Sequence, residues 1–160
     1  MSVRRITPDD VPAVVDLVRE LAEYEKARHE ARMTEDQLSA ALFGDSRALF
    51  GHVAVADEQV VGMALWFLNF STWRGTHGVY LEDLYVQPQH RGSGLGRELL
   101  RTLADVCVQR GYDRLEWSVL DWNTPSIDFY RAAGAVPMDE WTVFRLTDEA
   151  LTTFAADRRG

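Results

Sequence analysis

Apolar positions change their spacing several times along this chain, and each change marks an element. Val11, Val14, Val15, Val18, Leu21 and Ala22 recur at helical intervals. They predict a helix opened by Thr7-Pro8-Asp9-Asp10, with a capping hydroxyl, an early proline and early acids. A short strand, Val3 to Ile6, stands before it. A second helix is expected from Thr34, with Leu38, Leu42 and Phe43 inward. Residues 48–56 and 60–68 read as two strands about an Asp57-Glu58-Gln59 turn, hence a hairpin. Asn69 to Gly78 reads as a polar loop carrying Trp73, and Val79 to Val86 as a further strand.

Beyond Pro88 the period returns to that of a helix, with Leu95, Leu99, Leu100, Leu103 and Cys107 on one face. Gly111 is its expected stop. A strand from Leu115 to Leu120 follows. A helix from Asn123-Thr124-Pro125-Ser126 through Ala133 then ends at Gly134. Ala135 to Met138 and Trp141 to Leu146 predict final strands, and Thr147-Asp148-Glu149 opens a last helix. The order β-α-α-β-β-β-α-β-α-β, plus that terminal helix, neither alternates strictly nor stays all-β. A mixed sheet flanked by helices, an α+β fold, suits it best.

The 160 residues and 46% apolar composition fit a single domain over 1–160 with a real core. No apolar run approaches the roughly 20 residues needed to span a bilayer. The N-terminal residues lack a signal-peptide core, so a cytoplasmic location is expected. Cys107 is the lone cysteine, which excludes an internal disulfide. A net charge of −8 argues against nucleic acid and favours cationic small molecules. Against that background His90, Arg91, Arg97 and Arg101 form a local basic cluster.

The cluster surrounds Arg91-Gly92-Ser93-Gly94-Leu95-Gly96-Arg97, a glycine-rich turn between strand and helix. Alternate glycines keep side chains away, so backbone N–H groups and an open helix N-terminus converge on an anion such as a diphosphate. A Walker loop is excluded because no Lys follows the glycines. A dinucleotide fingerprint fails because Gly96 comes one position early and Gln87 to Arg91 intervene after the strand. A flexible helix start remains the alternative for the glycines alone. In Tyr80-Leu81-Glu82-Asp83-Leu84-Tyr85-Val86, alternation puts Glu82, Leu84 and Val86 on one face and Leu81, Asp83 and Tyr85 on the other. Two acids in an apolar strand lie either on a solvated edge or in a cleft that receives a cation. His29, His52, His77 and His90 are scattered, and neither His-Glu-x-x-His nor Gly-x-Ser-x-Gly occurs.

The strand, the proline and Arg91-x-x-Gly94-x-Gly96 together resemble the coenzyme A loop of the GNAT superfamily of N-acetyltransferases. The likeness extends to Glu20-Leu21-Ala22-Glu23-Tyr24-Glu25, Tyr80-Leu81-Glu82-Asp83, Trp122-Asn123-x-Pro125-Ser126-Ile127-x-Phe129-Tyr130 and Trp141. Over Thr7 to Leu146 the chain is similar to the spermidine/spermine (diamine) N-acetyltransferase branch.

That resemblance implies the GNAT fold with a mostly antiparallel central sheet, acetyl-coenzyme A as donor, and direct transfer to a primary amine. The acceptor is then a diamine, a polyamine or a lysine-like amino acid, with a protein lysine or N-terminus as the alternative. A non-enzymatic acyl-CoA-binding module is a third reading. Leu84, Tyr85 and Val86 are carried to the pantetheine arm, and Arg91, Gly92, Ser93, Gly94, Leu95, Gly96 and Arg97 to the pyrophosphate. Asn123, Ser126 and Tyr130 are carried to the thiol end. Tyr24, Glu25, Glu82, Asp83, Glu116 and Trp117 are the implied amine contacts, with Glu140 a weaker one. Glu82 is the implied general base, through water, and Tyr130 the proton donor to the thiolate. Relatives commonly form homodimers, and the same is expected here.

Overall fold

Five strands form one sheet in chain order: β1 (Ser2–Arg5), β2 (Phe50–Ala56), β3 (Gln59–Ser71), β4 (Thr76–Val86) and β5 (Leu115–Trp117). β1 to β4 pair antiparallel and β5 lies parallel to β4. The computed structural model describes residues 1–159, in two compact units, one covering residues 1–120 and the other beginning at Asp121. The mixed, mostly antiparallel sheet and its flanking helices are the expected α+β fold.

Turn chemistry sets the hairpins. Asp57 and Glu58 both take positive φ, 50° and 63°, as a two-residue hairpin loop with the right twist requires. The expected loop from Asn69 to Gly78 is instead mostly ladder. Asn69 pairs with Gly78, Phe70 with His77 and Ser71 with Thr76, leaving only 72–75 as the turn. Its polar residues suit an exposed hairpin end, where the Ser71 hydroxyl accepts the Arg74 N–H at 3.1 Å.

Helices cover both faces of the sheet. On one side α1 (Val11–Tyr24) and α2 (Glu35–Phe43) bury Val14, Val15, Leu17, Leu38 and Leu42 against Val53, Met63, Leu65 and Tyr85. On the other side α3 (Leu95–Arg110) lies across the strands, with Leu99 and Leu103 fully buried. Each such leucine contributes about 2 kcal/mol of burial. Trp66 is also fully buried, and its indole N–H donates to His52 Nδ1 at 3.2 Å. The start of α1 is pinned by Asp10, whose carboxylate accepts from Arg4 at 2.7 and 3.0 Å and from the Thr7 N–H at 2.7 Å.

The second unit holds α4 (Thr124–Ala132) and α5 (Asp148–Ala156). Asn123 caps α4, accepting the Ser126 N–H at 3.4 Å, and Gly134 ends it with φ of 97°. The expected strands 135–138 and 141–146 are a correction: among the described residues these segments are irregular. Alternating apolar residues make a strand only when a neighbour completes the ladder, and here none pairs with them. The strand predicted over Leu115 to Leu120 likewise stops at Trp117, its last residue paired with β4.

Candidate active site

The site is organised by a break in register. Leu65 pairs with Asp83 but the next residue, Trp66, pairs with Leu81, so Glu82 is an extra residue in β4. This β-bulge changes which face each side chain takes. Leu81 and Leu84 share the α3 side with Trp66 and Ala64, while Asp83 and Tyr85 share the α1 side with Leu65 and Met63. The expectation that Leu81 and Asp83 share a face is thereby overturned. Strict alternation fails wherever one residue is inserted into a ladder.

The bulge sends the two acids to different surroundings. Glu82 is exposed and Asp83 half-buried. Burial, with the nearby charges of Glu82 and Glu25, pushes the Asp83 carboxyl up to about 7. Burial also raises Glu25, the residue that follows the last turn of α1. The like charges of Glu82 and Glu25 both act on Asp83, so the three carboxyls form one acidic group. A cation relieves that repulsion, and a carboxyl poised near 7 both holds and receives a proton at neutral pH.

Beside this group β4 has an open edge. Its ladder with β5 covers only Val79 to Leu81, so among the described residues the β5 side of 82–86 carries no strand partner. Peptide groups on that side of Glu82 and Leu84 are placed to pair with an extended chain as a neighbouring strand would, whereas the Val86 carbonyl already accepts from Arg91 at 3.0 Å. Tyr85 and Val86 are buried and Leu84 is half-buried.

The chain then turns through Pro88–His90 into the glycine segment. Gly92 and Gly94 take φ of 80° and 89°, and a methyl on either would meet no atom within 4 Å. The Ser93 hydroxyl donates to the His90 carbonyl at 2.5 Å, away from the helix start. Gly94 is the N-cap of α3, and among the described residues no side chain caps the helix. The first N–H groups of α3, from Leu95, Gly96 and Arg97, therefore present themselves at an open, positively polarised end. Arg97 is exposed in that first turn, while Arg101 pairs with Glu98. An unobstructed cradle of amides with a nearby guanidinium fits the diphosphate of an acyl-coenzyme A.

Other expected residues have definite places. The Arg91 side chain turns back: its Nε–H donates to the Val86 carbonyl at 3.0 Å. Its guanidinium carbon lies 5.3 Å from the Tyr24 ring centre and 5.4 Å from that of Tyr85. Glu116 is half-buried on β5, accepting from Asn69 at 3.4 Å and paired with Arg114 at 3.7 Å. Trp117 ends β5 opposite Leu81. In the second unit Ser126 and Tyr130 lie four apart on α4, so they share a helical face, and Phe129 packs beside Tyr130 at 5.5 Å. Glu140 lies in the irregular stretch after α4 and is exposed. Sequence reading missed the Gln87 side chain, which donates to Glu20 on α1 at 3.2 Å. Pairs separated by 67 positions leave no local signal.

A bulged central strand with an open edge, followed by an uncapped glycine turn, defines a chain shaped to receive an extended ligand that carries an anion. The chain matches the acetyltransferase (GNAT) family over residues 13–135 and belongs to that family. It is 36% identical over 166 aligned residues to the thialysine N-epsilon-acetyltransferase of Bos taurus, covering 96% of both chains. It is 28% identical to the spermidine/spermine N(1)-acetyltransferase-like protein 1 of Homo sapiens, over 96% of this chain and 23% of that one. Among solved structures, an integron cassette protein from V. cholerae, VCH_CASS6, shares the fold with a TM-score of 0.82 at 24% identity, over 98% of each chain. The chain is an N-acetyltransferase.

Proposed function

We propose that this protein transfers an acetyl group from acetyl-coenzyme A to the terminal primary amine of a small cationic acceptor, a lysine-like amino acid or a diamine. The acidic group of Glu25, Glu82 and Asp83 at the bulge carries this reading. A short diamine or a lysine-like amino acid brings an ammonium to those carboxylates. The curated relative from Bos taurus is named for an acceptor of that chemistry.

Acetyl-coenzyme A, when bound, supplies an activated acetyl thioester. Amides of Gly92 to Arg97, with Arg97, hold its diphosphate, and the open edge of β4 from Leu84 to Val86 receives the pantetheine arm. An alkylammonium has a solution pKa of about 10.4 and must lose a proton before it attacks. The Glu82–Asp83 pair takes that proton: Glu82 faces solvent and relays through water, while Asp83 is poised near neutrality. Amides of β4 polarise the acyl carbonyl, as an oxyanion hole does. Asn123 and Ser126 stand with the thiol end, and Tyr130 gives its hydroxyl proton to the departing sulfur. These three assignments rest on the spacing from Asn123 to Gly134.

The reading extends to one catalytic domain over 1–160 that works as a homodimer in the cytoplasm. Its test is a coenzyme A release assay across diamines, polyamines, lysine-like amino acids and lysine peptides. Saturable turnover is expected with short diamines or lysine-like amino acids. Turnover confined to peptides would replace the acceptor class, and none at all with a stoichiometrically bound ligand would favour a binding module.

A further inference from the structure

We infer that Arg91 is a positioning residue, which locks the end of α1 onto the cofactor turn by holding its guanidinium against the rings of Tyr24 and Tyr85. The inference rests on the reading of the turn as the diphosphate site and of the acidic group as the amine site. Four contacts carry it. The Arg91 Nε–H is spent on the Val86 carbonyl at 3.0 Å, and its main-chain N–H on the Pro88 carbonyl at 3.2 Å. Its guanidinium carbon then sits within 5.5 Å of two aromatic centres, one on α1 and one on β4. That is the range in which a cation is drawn to the ring face.

The pairing repeats one helical turn earlier. Gln87, four residues before Arg91, binds Glu20, four residues before Tyr24. Two ties at matching spacing therefore fasten the last two turns of α1 to the segment joining β4 and the glycine turn. Glu25 follows Tyr24 directly, and its charge is felt at Asp83. Arg91 thus fixes a carboxylate of the amine side from a position in the cofactor turn. Only Arg serves here, because a planar guanidinium stacks on two rings while donating along its edge.

The test separates this role from that of a phosphate ligand. Amide exchange of the whole protein is followed at residues 20–26 for the wild type, Arg91→Met, Tyr24→Leu and Tyr24→Phe. Exchange is expected to quicken about two- to thirtyfold in Arg91→Met and Tyr24→Leu, the range of a partly desolvated cation–π contact. Tyr24→Phe keeps the ring and is expected to retain the slow exchange. The double variant Arg91→Met/Tyr24→Leu is expected to exchange no faster than the faster single variant, because both remove one contact. In Arg91→Met the KM for the amine is expected to rise by a larger factor than the coenzyme A affinity, measured by calorimetry, falls. Unchanged exchange, or a tenfold loss of coenzyme A affinity with an unaltered amine KM, would overturn the inference. If no small amine is turned over by the wild type yet exchange responds as stated, the acceptor assignment fails and the clamp stands.

Discussion

Asp83 stands opposite Leu65 in the β3–β4 ladder, and by that pairing a carboxyl is turned toward the α1 side of the sheet. Because Glu82 bulges out of the ladder, Leu81 and Asp83 face consecutive residues of β3 and so opposite sides of the sheet; in a regularly paired strand they would share the α3 side. The acid is consequently shielded from water and stands near two like charges, which accounts for its weak acidity.

The first prediction concerns the proton. With Asp83 near 7, kcat/KM is expected to rise with pH through about that value as the carboxyl ionises. Asp83→Asn is expected to remove this acid limb, and Glu82→Gln to lower kcat by about 10²–10⁴. An unshifted profile in Asp83→Asn would show that another group sets the limb.

Two groups shielded from water, His52 and the half-buried Asp83, are expected to pull stability in opposite directions with pH. Burial, with Arg5 and Arg110, lowers His52 from 6.5 to about 4, so the unfolded chain takes up its proton first. His52 therefore contributes full stability above 6.5 and loses it as pH falls toward 4. Asp83, raised from 3.8 to about 7, contributes full stability below 3.8 and loses it as pH rises toward 7. Each slope reaches at most about 1.4 kcal/mol per pH unit. In urea titrations between pH 4.5 and 6.5, Asp83→Asn is expected to steepen the rise of stability with pH. His52→Gln, which keeps an acceptor for Trp66, is expected to turn the slope the other way.

Gly94 has φ of 89°, a conformation that costs an L-residue about 1–2 kcal/mol. Gly94→Ala clashes with no atom of the chain, so its second effect falls on whatever occupies the open side of the turn. Loss of one charge-assisted N–H contact there weakens binding about tenfold or more. Calorimetry with coenzyme A is expected to show that loss; affinity equal to wild type would place the diphosphate elsewhere.

Asp10 is buried and accepts from Arg4 and Thr7 at the start of α1. Asp10→Ala removes a cap and an ion pair together, costing about 2 kcal/mol. The thermal midpoint is expected to fall by about 4–8 °C. The hydrogen bond from Arg4 holds the Asp10 carboxyl below its ordinary 3.8. Its contribution is therefore present above about 4 and lost as acid protonates it.

Helices were legible wherever a cap and a 3.6-residue stripe coincided. Thr34 opens α2 with its hydroxyl on the Gln37 N–H, and Gly111 closes α3 with φ of 71°. The glycine turn was equally legible, because Gly92 and Gly94 adopt backbone shapes that other residues avoid. Strand ends were less so. The pairing of Asn69 with Gly78, and the want of any strand partner for 141–146 among the described residues, depend on distant residues that local composition does not encode.

By itself the amino-acid order determined the helices, the α+β class, the glycine turn and the acids of β4, since these depend on side-chain period and backbone preference over a few residues. Only the tertiary structure decided that Glu82 bulges, that Asp83 is desolvated beside Glu25, and that Arg91 returns to Tyr24 and Tyr85. Register, burial and charge proximity arise from packing between segments far apart in the chain, and no local pattern specifies them.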